Sequence, residues 1–260
     1  MVLARQKPAH EPGTRQIYHA LTLGYYESEI LRRVDPKGRT LGQYFQDEIA
    51  SPLGLDFYIR LPESIPNSRL ATLRQAKIGL SAMLHLPFPF LVAAMNSRSA
   101  IRRALVGSLY PLDKERVYAR NFEVPSGGGV GTARAIAHAY SVFATGGKEL
   151  GLREETLKQL MAPPVAPQHG FVDGGLKVEI PFSLGFARPS PKNPWGHPGS
   201  YGAPGSGGSF GFADPQAEIG YGYVTNGMGT SLADPRELAL RNAMYRSIGD
   251  IDPYHGGAQN

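Results

Sequence analysis

The chain has 260 residues, enough for one large domain or two small ones, and its 42% hydrophobic and 19% charged residues are the composition of a globular protein rather than a disordered one. Its net charge of +5 comes without the clustered Lys/Arg and interleaved aromatics of a nucleic-acid surface; Arg32-Arg33 and Arg102-Arg103 read as solvated helix faces. The absence of cysteine excludes disulfides, thiolate metal sites and a cysteine nucleophile.

In chain order, Pro12-Gly13 sets a turn that Thr14 is placed to cap, and an amphipathic helix is predicted from Tyr18 to about Val34, begun by the apolar face of Ile17, Leu21 and Leu23. Asp35-Pro36-Lys37-Gly38 stops it. Thr40 with Gln43 three residues on is a capping box for a second helix that buries Phe45 and Ile49 and ends at Ser51-Pro52. Residues 56–62 suggest a short strand, and the proline-punctuated stretch 63–120 holds short helical pieces such as 98–105. Thr132 is a further N-cap, for a helix of small residues from Ala135 to Phe143 that Gly146-Gly147 ends. Residues 154–161 form another short helix.

From Phe182 the period becomes two. The segments FSLGF, WGH, SFGFAD and EIGYGYVTN read as successive strands, with Phe210 and Phe212 on one face and Ile219, Tyr221 and Tyr223 on one face of the next. Asp214 to Ala217 supplies a hairpin turn. Asp234, Pro235 and Glu237 are N-cap, first-turn proline and capping-box acid of a last helix to about Ile248. Helices followed by an antiparallel sheet and a closing helix imply an α+β fold, taken as one domain over 1–250 with a tail at 251–260.

The longest apolar run, residues 84–95, is proline-broken and well short of the about 20 residues that cross a bilayer, so no membrane span is expected. The seven histidines are scattered and form no H-E-x-x-H, so no metal is expected. The glycine loop Ser126 to Thr132 lacks the Gly-Lys-Ser/Thr of a P-loop and fits no G-x-G-x-x-G register; it reads as a tight turn, and no cofactor is implied.

Three phrases in order carry a resemblance: Pro12-Gly13-Thr14 followed by Tyr18-His19-Ala20, then Ile49-Ala50-Ser51-Pro52-Leu53-Gly54-Leu55, then the glycines and Thr-capped helix around Thr132. The chain resembles the serine β-lactamase-like family of class C β-lactamases, penicillin-binding proteins and related esterases. That resemblance implies an acyl-serine hydrolase of small ester or amide substrates. In the family a Ser-x-x-Lys serine is acylated, and the lysine, a tyrosine phenol and a Lys/His-x-Gly strand manage protons beside a backbone oxyanion hole. It implies Tyr18 as the phenol, His197 of His197-Pro198-Gly199 as the strand residue, and Gly199 and Ser200 near the substrate; residues 63–120 are the variable roof of the site. Ala203-Pro204-Gly205 is a competing register, because GHPGS and GAPGS nearly repeat.

Two departures matter. No serine is followed by lysine three residues on, so the nucleophile is expected to be absent from this chain, which would then be a fragment, a short isoform or a pseudoenzyme. Ala20 stands where Tyr-x-Asn has asparagine, a form closer to the esterase branch than to true β-lactamases. A phenol is a base at neutral pH only beside a cation that lowers its pKa. Two functions follow: a hydrolase seen without its nucleophile, or a non-catalytic binding or structural module. A sheet without the family's N-terminal strands is expected to leave one edge unpaired and one apolar face uncovered.

Overall fold

A computed structural model describes residues 3–74, 92, 95, 96, 99, 120, 122–229 and 234–249. The helical pieces expected near 98–105, most of the 63–120 roof and the tail after Gly249 lie outside the described residues. The chain forms two compact units interleaved in sequence. The first comprises Met1–Arg69, Leu84–Gly131 and Ala166–Glu179, and the second Leu70–Met83, Thr132–Val165 and Ile180–Asn260.

In the first unit the leading helix α1 spans Thr22–Val34, four residues later than the sequence predicts. Thr14 does not cap it. The Thr14 hydroxyl and amide instead both donate to Glu11 O, at 2.6 and 3.3 Å, and close the Pro12-Gly13 turn, where Gly13 has φ 81°. The cap of α1 comes from across the unit: Ser126 Oγ accepts the Gly24 amide at 2.8 Å and donates to Leu21 O at 3.2 Å. Helix α2, Leu41–Phe45, starts at the expected capping box, with the Gln43 amide donating to Thr40 Oγ1 and the Thr40 amide to Gln43 Oε1. Glu123 adds a carboxylate at the same helix start, accepting the Gly42 amide at 2.7 Å, where the helix dipole favours an anion. The segment 123–126 thus serves the N-termini of two helices, and the glycines after it are the tight turn the sequence suggests, with Gly127 and Gly128 amides donating to Val124 O.

Helix α2 runs on into one π turn, Gln46–Ala50, and then into the two-residue strand β1, Phe57–Tyr58. Strand β2, Val130–Gly131, pairs with it antiparallel. Gly129 and Gly131 lie against the Phe57 ring, which packs edge-on to Phe45 at 5.7 Å. Along α1, Leu23, Tyr26, Ile30 and Val34 form an exposed apolar stripe, Val34 being 70% exposed.

The second unit is a five-stranded antiparallel sheet in the order β3-β4-β5-β6-β7. Its strands are Phe182–Ser183, Phe186–Ala187, Tyr201–Pro204, Phe210–Asp214 and Ile219–Tyr223. FSLGF is two strands rather than one, because Leu184 and Gly185 adopt φ 50° and 84° and turn the chain between them. WGH is not a strand; the third strand begins at Tyr201, after a Pro198-Gly199 turn.

The period-two reading of β6 and β7 holds, and the structure gives its cause. Phe210, Phe212 and Tyr221 join Trp195, Ala187 and Tyr245 in one core. The opposite face is glycine, so that helix α3, Ala133–Ala144, can lie on the backbone: a Cβ on Gly220 would collide with Ser141 N and Ala137 O, and one on Gly222 with Ala133 O. Thr132 caps α3 through the Ala135 amide, and Gly146 and Gly147 end it at φ 94° and 67°. Helix α4, Glu154–Met161, follows.

The closing helix α5, Pro235–Ser247, is capped by Asp234 and supplies Met244 and Tyr245 to the aromatic core. Both faces of the sheet therefore carry a helix, which corrects the expected uncovered face, while β7 is an outer strand among the described residues. Glu237 is no capping-box acid. It is buried and bonds Arg241 at 3.0 Å one turn on, because that position of α5 faces the core.

Candidate active site

Tyr18 lies before α1, so helix geometry does not fix it. Its segment is held instead by the loop 166–179. The Gln168 and His169 amides donate to Gly13 O and Thr14 O at 3.1 and 2.9 Å, Gln16 Nε2 donates to Phe171 O at 3.0 Å, and the Gly174 amide donates to Gln16 O at 2.9 Å. The last tie is Asp173, fully buried, whose Oδ2 accepts the Tyr18 amide at 2.6 Å. Its Oδ1 accepts the amides of Gly175 and Leu176 at 2.8 and 2.6 Å. The phenol end of Tyr18 is partly exposed, at 44% for the residue. Burial first and the Asp173 carboxylate second push the phenol above its ordinary value of about 10. At neutral pH it therefore carries its proton.

In the second unit, His197, Gly199 and Ser200 share the turn that enters β5. His197 is buried, at 6% exposure. Its Nδ1 donates to Asp214 Oδ2 at 2.8 Å and its amide to the same oxygen at 3.1 Å. Tyr245 OH donates there too, at 2.6 Å, while Asp214 Oδ1 accepts the amides of Gln216 and Ala217 in the β6–β7 turn. Burial alone would raise the Asp214 carboxyl; the hydrogen bonds from Tyr245 and His197 outweigh it and hold the group below the usual carboxylate range. One ionised carboxylate thereby fixes the imidazole, the closing helix and the hairpin turn, and sets Nδ1 as the protonated nitrogen.

Ser200 is fully buried, and its Oγ has no hydrogen-bond partner among the described residues. Gly196 makes room for it: at φ 58° a Cβ there would lie 2.5 Å from Ser200 Oγ. Of the competing registers, Ala203-Pro204 lies on β5 with Ala203 exposed, whereas His197 precedes the strand and is buried. Beside them Arg188, also buried, donates to Leu160 O and Met161 O at the end of α4 and reaches Gly199 O at 3.4 Å, a cation at a helix C-terminus.

Asp173 and Asp214 are the residues that sequence reasoning missed. Asp214 was read as a turn residue and is also the hub of a buried network. Asp173 opens Asp-Gly-Gly, a phrase whose turn chemistry is a usable signal. Among the described residues no group of three or more metal-ligating side chains comes together, and no helix is long and apolar enough to cross a membrane.

An α+β chain whose antiparallel sheet lies between two helices, with a tyrosine set on a Pro-Gly turn before a helix, defines the β-lactamase and transpeptidase class of fold. The chain belongs to the Beta-lactamase family, whose profile matches residues 1–244. It is 26% identical over 247 residues to the esterase/β-lactamase LipL of Mycobacterium tuberculosis, covering 87% of this chain and 52% of LipL, so it spans about half the length of that relative. Among solved structures it is similar to a penicillin-binding-protein homologue from Caulobacter crescentus, at TM-score 0.74 and 32% identity over 94% of this chain and 62% of that one. EstA from Arthrobacter nitroguajacolicus Rue61a matches at TM-score 0.77 and 29% identity, over 95% of this chain and 64% of EstA. A family VIII carboxylesterase matches at TM-score 0.71 and 32% identity, over 94% and 62%.

Proposed function

We propose that this chain is the tyrosine-bearing part of an esterase-type serine hydrolase that cleaves small ester or amide substrates through an acyl-serine, and that the acylated serine is not among its 260 residues. The observation that carries the reading is the anchoring of Tyr18, whose backbone is tied to buried Asp173 while its phenol stays partly exposed. Membership of the Beta-lactamase family and likeness to esterase structures support the reaction class. In this reading Tyr18 is the phenol of the site.

The chemistry follows from the phenol. A protonated Tyr18 donates to the departing alkoxide or amine, and it accepts a proton only after a neighbouring cation lowers its pKa. The family supplies that cation with the lysine of Ser-x-x-Lys, a pattern this chain does not contain.

A second reading, a non-catalytic binding or structural module, is favoured by the same raised phenol and by the burial of His197 and Ser200. Sequencing the transcript upstream of the Met1 codon separates the two. A Ser-x-x-Lys in frame supports the hydrolase; an in-frame stop with no such pattern supports the module. In either case this chain alone is expected to turn over neither p-nitrophenyl butyrate nor nitrocefin. Turnover that Tyr18→Phe abolishes would contradict the absence of the nucleophile.

A further inference from the structure

We propose that Asp173 is the positioning residue of Tyr18: it fixes where the tyrosine's backbone sits and, through that placement and its charge, how the phenol behaves. The role in a reaction rests on the hydrolase reading; the positioning itself does not.

The geometry is that of a dry polar staple. Asp173 is fully buried, and three amide donors converge on its two oxygens: Tyr18 on one, Gly175 and Leu176 on the other. Hydrogen bonds to a carboxylate are the strong kind, and a buried one is not weakened by competing water. The Asp173 backbone is tied as well, its amide donating to Val178 O at 2.9 Å and its carbonyl accepting the Lys177 amide at 3.0 Å.

The two glycines after Asp173 leave room for its side chain and for that of Ile17. A Cβ on Gly174 would lie 3.0 Å from Ile17 Cγ1, and one on Gly175 would lie 3.2 Å from Asp173 Oδ1. Ile17, expected to begin the apolar face of the first helix, is instead a residue this loop packs on. Since α1 begins only at Thr22, the pairing of residues 13–18 with 166–179 is what sets the direction in which Tyr18 leaves the backbone. The carboxylate that anchors the amide also adds to the upward push on the phenol, after burial.

The test is a pH titration of the full chain labelled with 13Cζ-tyrosine, with the Tyr18 resonance assigned by its loss in Tyr18→Phe. Asp173→Asn keeps the shape but removes the charge and faces one donor with another. In a folded Asp173→Asn chain the Tyr18 midpoint should fall toward about 10 without reaching it, because burial persists, while other tyrosine resonances hold still. An unchanged Tyr18 resonance and midpoint would overturn the proposal. Should that variant not fold, amide exchange in the unaltered chain decides. The Tyr18 amide should exchange at least about a hundredfold more slowly than an unstructured one although it lies outside any helix; exchange at the unstructured rate overturns the proposal. Neither readout needs turnover, so the positioning can fail while the hydrolase reading stands, and the reverse.

Discussion

The sheet of the second unit and the Tyr18 clamp of the first are held by opposite means. In the sheet, shape does the work: aromatic rings fill one face, and glycines let α3 rest on the strands of the other. In the clamp, residues 13–18 and 166–179 are joined by directional bonds from amides to carbonyls and to Asp173. Close packing is unforgiving of added volume but indifferent to pH. A polar clamp tolerates volume at its rim but depends on charge and on exact donor–acceptor pairing. A site that must hold a partly exposed phenol in a fixed place suits the second construction.

The contrast breaks most sharply at Gly220. Gly220→Leu drives a side chain into the α3 backbone and should cost about 3 kcal/mol or more, read as a lower urea midpoint at unchanged slope. Phe212→Ala should cost about the same, roughly 3–5 kcal/mol, by opening a cavity among Trp195, Phe210 and Tyr221. If either were tolerated, the sheet would not be held by packing.

Asp214 is where the sheet borrows the logic of the clamp. Asp214→Ala leaves the buried His197 and Tyr245 without their carboxylate and should cost about 2–4 kcal/mol by the same denaturation measurement. Because the folded Asp214 carboxyl lies below its unfolded value, its contribution is complete above about pH 4 and is lost as pH falls through the lower folded value. Acid unfolding followed by near-ultraviolet dichroism should therefore begin at higher pH in weakened variants of this network than in the unaltered chain.

Ser126→Ala should cost about 1 kcal/mol, because only the cap of α1 is removed. Smallest of all, Glu154→Gln breaks the exposed pair with Lys158 and should leave the denaturation midpoint where it was.

The same division explains what could be read from the chain. Periodicity and caps are local, so β6, β7, α3, α4 and α5 were legible: Phe210 and Phe212 alternate with small residues, and Thr132, Asp234 and the Thr40–Gln43 box announce helix starts. Strand β5 was not, because Tyr201–Pro204 sits in a glycine-proline stretch whose near-repeat has no alternation, and the pairing that makes it a strand comes from β6. The start of α1 was misplaced for a related reason. Tyr18 has helical neighbours in sequence, but its amide goes to Asp173, 155 residues away, and Gly24 takes its cap from Ser126, 102 residues away. Glu237 followed the capping-box pattern and was claimed by burial and Arg241 instead. Tyr18 and His197 are picked out by phrases, while Asp173 and Asp214 carry only turn signals in the sequence, and the partners their carboxylates hold are visible only in three dimensions.

The central claim, that this chain bears the phenol of a hydrolase site and not its acylated serine, is tested most directly by intact-mass analysis after incubation with a fluorophosphonate and with a penicillin. The mass should stay unmodified with both reagents. A single adduct mapped to any serine, lost when the chain is unfolded first, would contradict it.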